Sequence, residues 1–310
     1  MTHTDTRSLV HELMRGAQAT LIAAFEAVER EGAPSTGLPP GAFVSSTWER
    51  PGGGGGTARV LTEGAVFERA GVNVSAVHGA EVPPSLWQER PAIKGLPYFA
   101  TGVSLVLHPR NPFVPAFHAN LRYFEAGDER WFGGGMDMTP NYGFDEDARH
   151  FHRALKQYVE RHGVVDYQSV KEWCDRYFYL PHRKEMRGIG GIFFDHLQPE
   201  GADGFARALE FVRAGPDAII EAYLPIVRRR MATPYGERER AWQLYRRGRY
   251  VEFNLVLDRG TRFGLQTDGN IEAILMSLPP LARWEFQYAP EPGSPEADMA
   301  RFLVPQDWAS

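Results

Sequence analysis

The run His118-Ala-Asn-Leu-Arg122 sets an imidazole, an amide and a guanidinium at alternate positions. Side chains alternate across a β-strand, so the three would share one face in steps of roughly 6–7 Å. Histidine moves protons near neutral pH, and arginine grips a carboxylate through two parallel hydrogen bonds. In the preceding run, 102–109, the same alternation gives Ser104, Val106 and His108 a common face. A third run brings Asp137, just after Gly133-Gly134-Gly135. Phe113, Phe117, Tyr123, Phe124 and Trp131 crowd the same stretch. The solvated face of an ordinary antiparallel sheet is one account of the polar row. The aromatics and glycines favour another: a pocket wall for a large, flat, carboxylate-bearing molecule. Glycine beside the row would let a ligand approach the backbone closely, although loop flexibility would also explain it.

Four histidines, His108, His118, His152 and His182, fall near this pocket. Imidazole is the commonest metal ligand, but no pair has a recognised local spacing such as His-x-x-x-His. Spacing therefore favours ordinary hydrogen-bonding histidines over a metal site. Arg122 reads as a pocket residue, whereas Arg187 and Arg249 read as surface arginines.

The elements that must position these groups can be read in outline. Residues 7–30 repeat Val10, Leu13, Ala17, Leu21, Ala24 and Val28 at helical steps, and Gly32-Ala-Pro-Ser stops the helix. Strands are predicted over 41–48, 59–67 and 71–78, with Gly52 to Gly56 as a linker or mobile lid. The proline-rich stretch 82–96 is irregular. A helix over 145–162 has an acidic first turn and an apolar stripe of Ala148, Phe151, Leu155 and Val159, with His152 facing inward. Further helices are predicted over 167–180, 205–213, 217–231 and 234–247, the last charge-dense and solvated. Residues 187–195 form a glycine-led strand, because the flanking pattern of a dinucleotide-binding turn is missing. Strands are expected at 249–258, 261–266 and 284–288, and 272–278 is either a strand or a helix start. No repeat, linker or βαβ alternation appears. The expectation is one α+β domain over 1–310, an antiparallel sheet with helices packed on it.

Composition sets outer bounds. The 310 residues are 43% hydrophobic and 24% charged, with a net charge of −5. That is ordinary globular composition, and the acidic balance argues against nucleic acid as partner. The single cysteine, Cys174, allows no intrachain disulfide. No apolar leader or membrane-length apolar run is present, so a soluble cytoplasmic protein is expected.

A resemblance covers most of the chain. It is carried by Gly64-Ala-Val-Phe-Glu-Arg-Ala-Gly-Val-Asn73, His118-Ala-Asn-Leu-Arg122, Trp131-Phe-Gly-Gly-Gly-Met-Asp-Met-Thr-Pro140 and Trp173-Cys-Asp-Arg-Tyr-Phe-Tyr-Leu-Pro-His-Arg183. Arg187-Gly-Ile-Gly-Gly-Ile-Phe-Phe-Asp195, Arg246-Arg-Gly-Arg-Tyr-Val-Glu-Phe-Asn254 and Ile274-Leu-Met-Ser-Leu-Pro-Pro280 continue it in order. In these blocks the chain resembles the oxygen-dependent coproporphyrinogen III oxidases of bacteria. The resemblance implies a large antiparallel sheet flanked by helices on both sides, in a homodimer that pairs through about 250–285. It implies conversion of two propionates of coproporphyrinogen III to vinyl groups, giving protoporphyrinogen IX for haem, with O2 as oxidant and CO2 released. No organic cofactor is implied.

Residue by residue, the resemblance makes His118 the proton donor and Asp137 an acceptor for pyrrole N–H groups. It gives substrate contacts to Ser104, Asn120, Leu121, Arg122, Asp268, Gly269 and Asn270. It also implies a divalent metal, manganese being the candidate, held by His108, His118, His152 and His182. Such a dication would disfavour a protonated His118, so any metal is expected to be loosely held and dispensable. The family's Gly-Gly-Arg run stands here as Asp268-Gly269-Asn270, without the arginine. Two other readings compete: a metal-dependent hydrolase built on the histidines, and a tetrapyrrole-binding protein without catalysis.

Overall fold

The computed structural model of the chain describes residues 3–88, 90–266 and 270–310. It opens with helix α1 (His3–Thr36), which buries Val10, Met14, Ala17, Leu21, Phe25 and Val28. The buried stripe runs through Met14 and Phe25 instead of Leu13 and Ala24, which sit half-buried at its margin. Strands β1 (Val44–Glu49), β2 (Gly54–Thr62) and β3 (Phe67–Gly79) follow, then the short α2 (Pro84–Trp87). Next come β4 (Tyr98–Pro109), β5 (Ala116–Ala126) and β6 (Glu129–Thr139), and helices α3 (Asp145–His162) and α4 (Tyr167–Tyr177). The small pair β7 (Tyr179–Leu180) and β8 (Glu185–Met186) precedes β9 (Gly191–Leu197), which returns to the main sheet. The chain ends with α5 (Gly204–Arg213), α6 (Gly215–Arg230), α7 (Glu237–Glu252), α8 (Arg259–Gln266), α9 (Ile271–Leu275) and α10 (Pro295–Asp298).

The seven-stranded sheet has the order β1-β2-β3-β4-β5-β6-β9, antiparallel throughout. This is the expected α+β fold. One face carries Val72, Val103, Leu105, Phe117, Leu121 and Met136 into a core shared with α1, α3, α5 and α6. Phe117, for example, stacks on Tyr223 of α6 at 4.7 Å between ring centroids. Burying one such side chain contributes about 1.5–3 kcal/mol. The opposite face meets α4 and the segment after α7 through a smaller cluster of Cys174, Phe178, Phe193 and Phe253. Period-two alternation therefore decides which residues of each strand enter the core and which remain available for chemistry.

Several expectations fail. Gly54, Gly55 and Gly56 belong to β2, and the predicted lid is a hairpin turn in which Gly53 and Gly54 have φ of 99° and 91°. Glycine adopts such positive φ freely, so the run serves turn geometry. Residues 249–258 are not a strand but the end of α7 and a π-helical turn, Phe253–Leu257. The predicted strand 261–266 is α8, residues 271–275 are α9, and 284–288 form no strand. Helix α7 is not a solvated face. It buries Arg246, Arg247 and Arg249, because buried or half-buried acids wait for them, and Gln243, which donates to Pro109 O. Arg247 donates to Glu68 at 2.7 Å and Arg246 to Glu185 at 2.9 Å. Among the described residues, no helix is long and apolar enough to cross a membrane.

Candidate active site

The register of β5 against β6 sets His118 opposite Asp137. Directly opposed residues share a face, and His118 Nδ1 lies 2.8 Å from Asp137 Oδ1. Arg187, in the bend before β9, forks the same carboxylate. Its Nη2 donates to Oδ1 at 2.8 Å and to Oδ2 at 2.7 Å, and its Nε to Oδ2 at 3.2 Å. Nη1 donates to Asn254 Oδ1 at 2.8 Å. The guanidinium is walled by Phe178, Tyr250 and Phe253, with ring centroids 4.2, 4.5 and 4.7 Å away. Arg187 and Asp137 are each 2% exposed.

Burial alone would raise the Asp137 carboxyl. The Arg187 charge, with the His118 hydrogen bond, outweighs burial and holds it below its ordinary value. Asp137 is therefore an anion at neutral pH. It fixes the His118 tautomer by accepting Nδ1–H, and it leaves Nε2 without a partner among the described residues. His118 remains partly accessible, with 17% of its side chain exposed. The resemblance gives Asp137 a role as acceptor for pyrrole N–H groups. In this structure its carboxylate already takes four contacts from His118 and Arg187, against about four acceptor positions on a carboxylate. Arg187 is corrected from a surface arginine to the most buried cation of the site.

Arg122 shares the accessible strip. Its Nη2 donates to Asp195 Oδ2 at 2.8 Å and its Nη1 to Asn120 Oδ1 at 3.3 Å. The pair with Asp195 closes over Gly133, where a Cβ would stand 2.6 Å from Asp195 Oδ1 and 2.7 Å from Arg122 Nε. The Phe193 ring occupies the space beside Gly135. The glycine run therefore makes room for the protein's own groups instead of a ligand. Ser104 is exposed on the same strip, in register with Asn120 on one side and Asn73 on the other. Leu121 points the other way, into the core beside Gly215, so only its backbone borders the strip.

Helix α9 lies across the β3 end of this face, held by Asn73 Nδ2 donating to Ala273 O at 2.7 Å. Asn270 caps that helix by accepting from Ala273 N at 2.9 Å. Its side chain is thus engaged with its own helix and is not a substitute for a carboxylate-binding arginine. Asp268 and Gly269 lie outside the described residues. On the other flank, Tyr98, Phe124 and Trp131 form an apolar wall with Val82 and Ile93.

The four histidines do not come together as a metal site. His108 is buried, with Nε2 at 2.9 Å from Ser277 O, and burial followed by the Arg247 charge pushes its imidazole down to about 3. His152 has both ring nitrogens engaged, with the Tyr167 hydroxyl and Ile189 O at 2.9 Å each, and burial pushes it down to about 4. His182 contacts Glu252 at 2.8 Å. Among the described residues, no three His, Cys, Asp or Glu side chains are placed to hold an ion. The side chains present do not fit the implied metal, and they give the hydrolase reading no support.

Asp195, Asn73 and the Phe178–Tyr250–Phe253 wall were not anticipated. Strand alternation through Phe193 could have found Asp195, but no local spacing announces Asn73 or Arg187. The family model for coproporphyrinogen III oxidase matches residues 9–308, so the chain belongs to the coproporphyrinogen III oxidase family, enzymes of haem biosynthesis that act on coproporphyrinogen III.

Proposed function

We propose that this chain is an oxygen-dependent oxidase that converts two propionates of coproporphyrinogen III to vinyl groups, yielding protoporphyrinogen IX. In each step the bond to the carboxyl carbon breaks and CO2 leaves. A hydrogen and its electron pair leave the β-carbon, and O2 takes the two electrons with two protons, one from solvent, to become hydrogen peroxide. The observation that carries the reading is His118, locked through Nδ1 onto the Asp137 carboxylate, with Nε2 facing an accessible strip beside Arg122. His118 is the group that moves the proton. Asp137 and Arg187 position it. Arg122 takes a substrate carboxylate in place of Asp195, and Ser104 and Asn120 contact the tetrapyrrole.

O2 is the co-substrate in this reading, with no organic cofactor and no required manganese or other divalent metal. The working form is a cytoplasmic homodimer. Support for pairing comes from 255–286, where Leu255, Val256, Trp284 and Phe286 are 49%, 61%, 52% and 92% exposed. Large apolar side chains left this exposed favour an interaction site. The strand expected at 249–258 offers no edge to be covered, because that segment is helical. The deciding experiment supplies freshly reduced coproporphyrinogen III to the folded protein under air and under argon. Divinyl product, CO2 and O2 uptake are expected under air alone. No product under air, or equal product under argon, would overturn the reading.

A further inference from the structure

A second concave surface opens on the opposite face of the sheet from His118, between the N-terminal half of α1 and strands β1 to β3. It encloses about 850 Å³. Helix α1 is fixed along one side by Gln18 Nε2, which donates to Thr57 O at 3.0 Å and Val72 O at 2.7 Å. The outer strands extend past the helix and leave their inner face uncovered there. Arg59 of β2 projects from this face, since it is in register with Val72, a core residue. Thr47 and Thr57, paired across β1 and β2, present two hydroxyl side chains beside it.

The Arg59 Nε is shut off from solvent and has no acceptor among the described residues. A guanidinium N–H removed from water without an acceptor is unfavourable, and native proteins rarely leave one so. Arg15 and Arg50 line the same surface, against one acid, Glu49, among its described lining residues. Arg15 is shared with Glu12 at 3.1 Å, and Arg50 donates to His78 O at 2.7 Å. Arg59 has no comparable contact among the described residues. The groove therefore has excess positive charge, a lining guanidinium with no acceptor among the described residues, and hydroxyls able to complete an oxyanion's shell.

We propose that this groove is a second binding site, separate from the tetrapyrrole strip, for a small solute bearing several anionic oxygens of the phosphate or carboxylate class, with Arg59 as its central donor. Because the two faces of the sheet are divided by β2 and β3, its occupant does not reach His118.

Isothermal titration calorimetry of the full chain with pyrophosphate and, separately, citrate, at constant ionic strength, tests this. One saturable site per chain is expected for at least one of them. Arg59→Met should weaken it tenfold or more, and Arg15→Ala by a smaller factor. Arg59→Lys retains charge on the strand and guards against misfolding as the cause, and it should bind with intermediate affinity. Preference for pyrophosphate assigns the site to phosphates, and preference for citrate to carboxylates. Absence of saturable heat with both overturns the proposal. Binding that survives Arg59→Met but disappears in Arg122→Ala also overturns it, because the anion would then sit on the catalytic face.

Discussion

Replacing Arg187 with methionine should separate the roles of the buried pair. Methionine keeps most of the stem volume between Phe178, Tyr250 and Phe253 but removes the charge. Asp137 keeps only His118 as a partner, in a place where it is 2% exposed. Removing one member of a buried ion pair costs about 3–5 kcal/mol, because the remaining charge is uncompensated. Against a total stability of about 5–15 kcal/mol, that is a large shift in a urea midpoint followed by tryptophan fluorescence. The double variant Arg187→Met/Asp137→Asn removes the stranded charge and should recover part of the loss. Activity has a second signature. With the guanidinium gone, burial dominates and the Asp137 carboxyl climbs, the reverse of the native balance. Protonated Asp137 no longer fixes His118, so the acid limb of kcat/KM should move to higher pH and turnover should fall roughly hundredfold or more. A variant that loses under about 1 kcal/mol and keeps its pH profile would refute the reasoning.

Arg122→Ala should cost about 2–5 kcal/mol in substrate binding, read as a raised KM, with Arg122→Lys restoring part; full activity of the alanine variant would place Arg122 outside the binding strip. Acid should destabilise the fold from about pH 6.5 downward. Burial pushes His108 to about 3 and His152 to about 4, so between these values and 6.5 the unfolded chain binds protons that the native chain does not. Urea midpoints should therefore fall between pH 7.5 and 5, and an unchanged midpoint would contradict this. Protein stripped with chelator, its metal content checked by elemental analysis, should keep its turnover. Loss of activity with stoichiometric return on adding manganese would reverse that expectation.

The sheet's central strands were readable because each shows period-two alternation with one apolar face. The split of His118, Asn120 and Arg122 from Leu121 follows from that rule alone. The region after 236 was misread for a physical reason. Val251, Phe253, Leu255 and Leu257 alternate like a strand, but the buried positions are Tyr250, Phe253 and Asn254, a helical three-and-four spacing. A short apolar run fits both periods, and burial decides between them. Burial here is set by Arg187, which rests on Tyr250 and Phe253 and donates to Asn254. The charges of α7 misled in the same way, because their partners Glu68 and Glu185 are distant in sequence.

Arg122, Arg187 and Arg249 show how far spacing can go. Arg187 spends four hydrogen bonds within the protein, three on Asp137 and one on Asn254. With five N–H groups on a guanidinium, it has little left for a substrate. Arg249 is turned to Glu252 and the Tyr245 hydroxyl. Arg122 gives two hydrogen bonds, to Asp195 and Asn120, and keeps 38% of its side chain exposed on the strip that presents His118 Nε2. A propionate can reach Arg122 by exchanging one carboxylate for another, which keeps the charge on the guanidinium balanced. At Arg187 the same exchange would strand Asp137. In the proposed reading the fully buried cation therefore serves the proton-transfer histidine, and the half-exposed cation serves the substrate. That division rests on which arginine can change partners without leaving a buried charge unpaired.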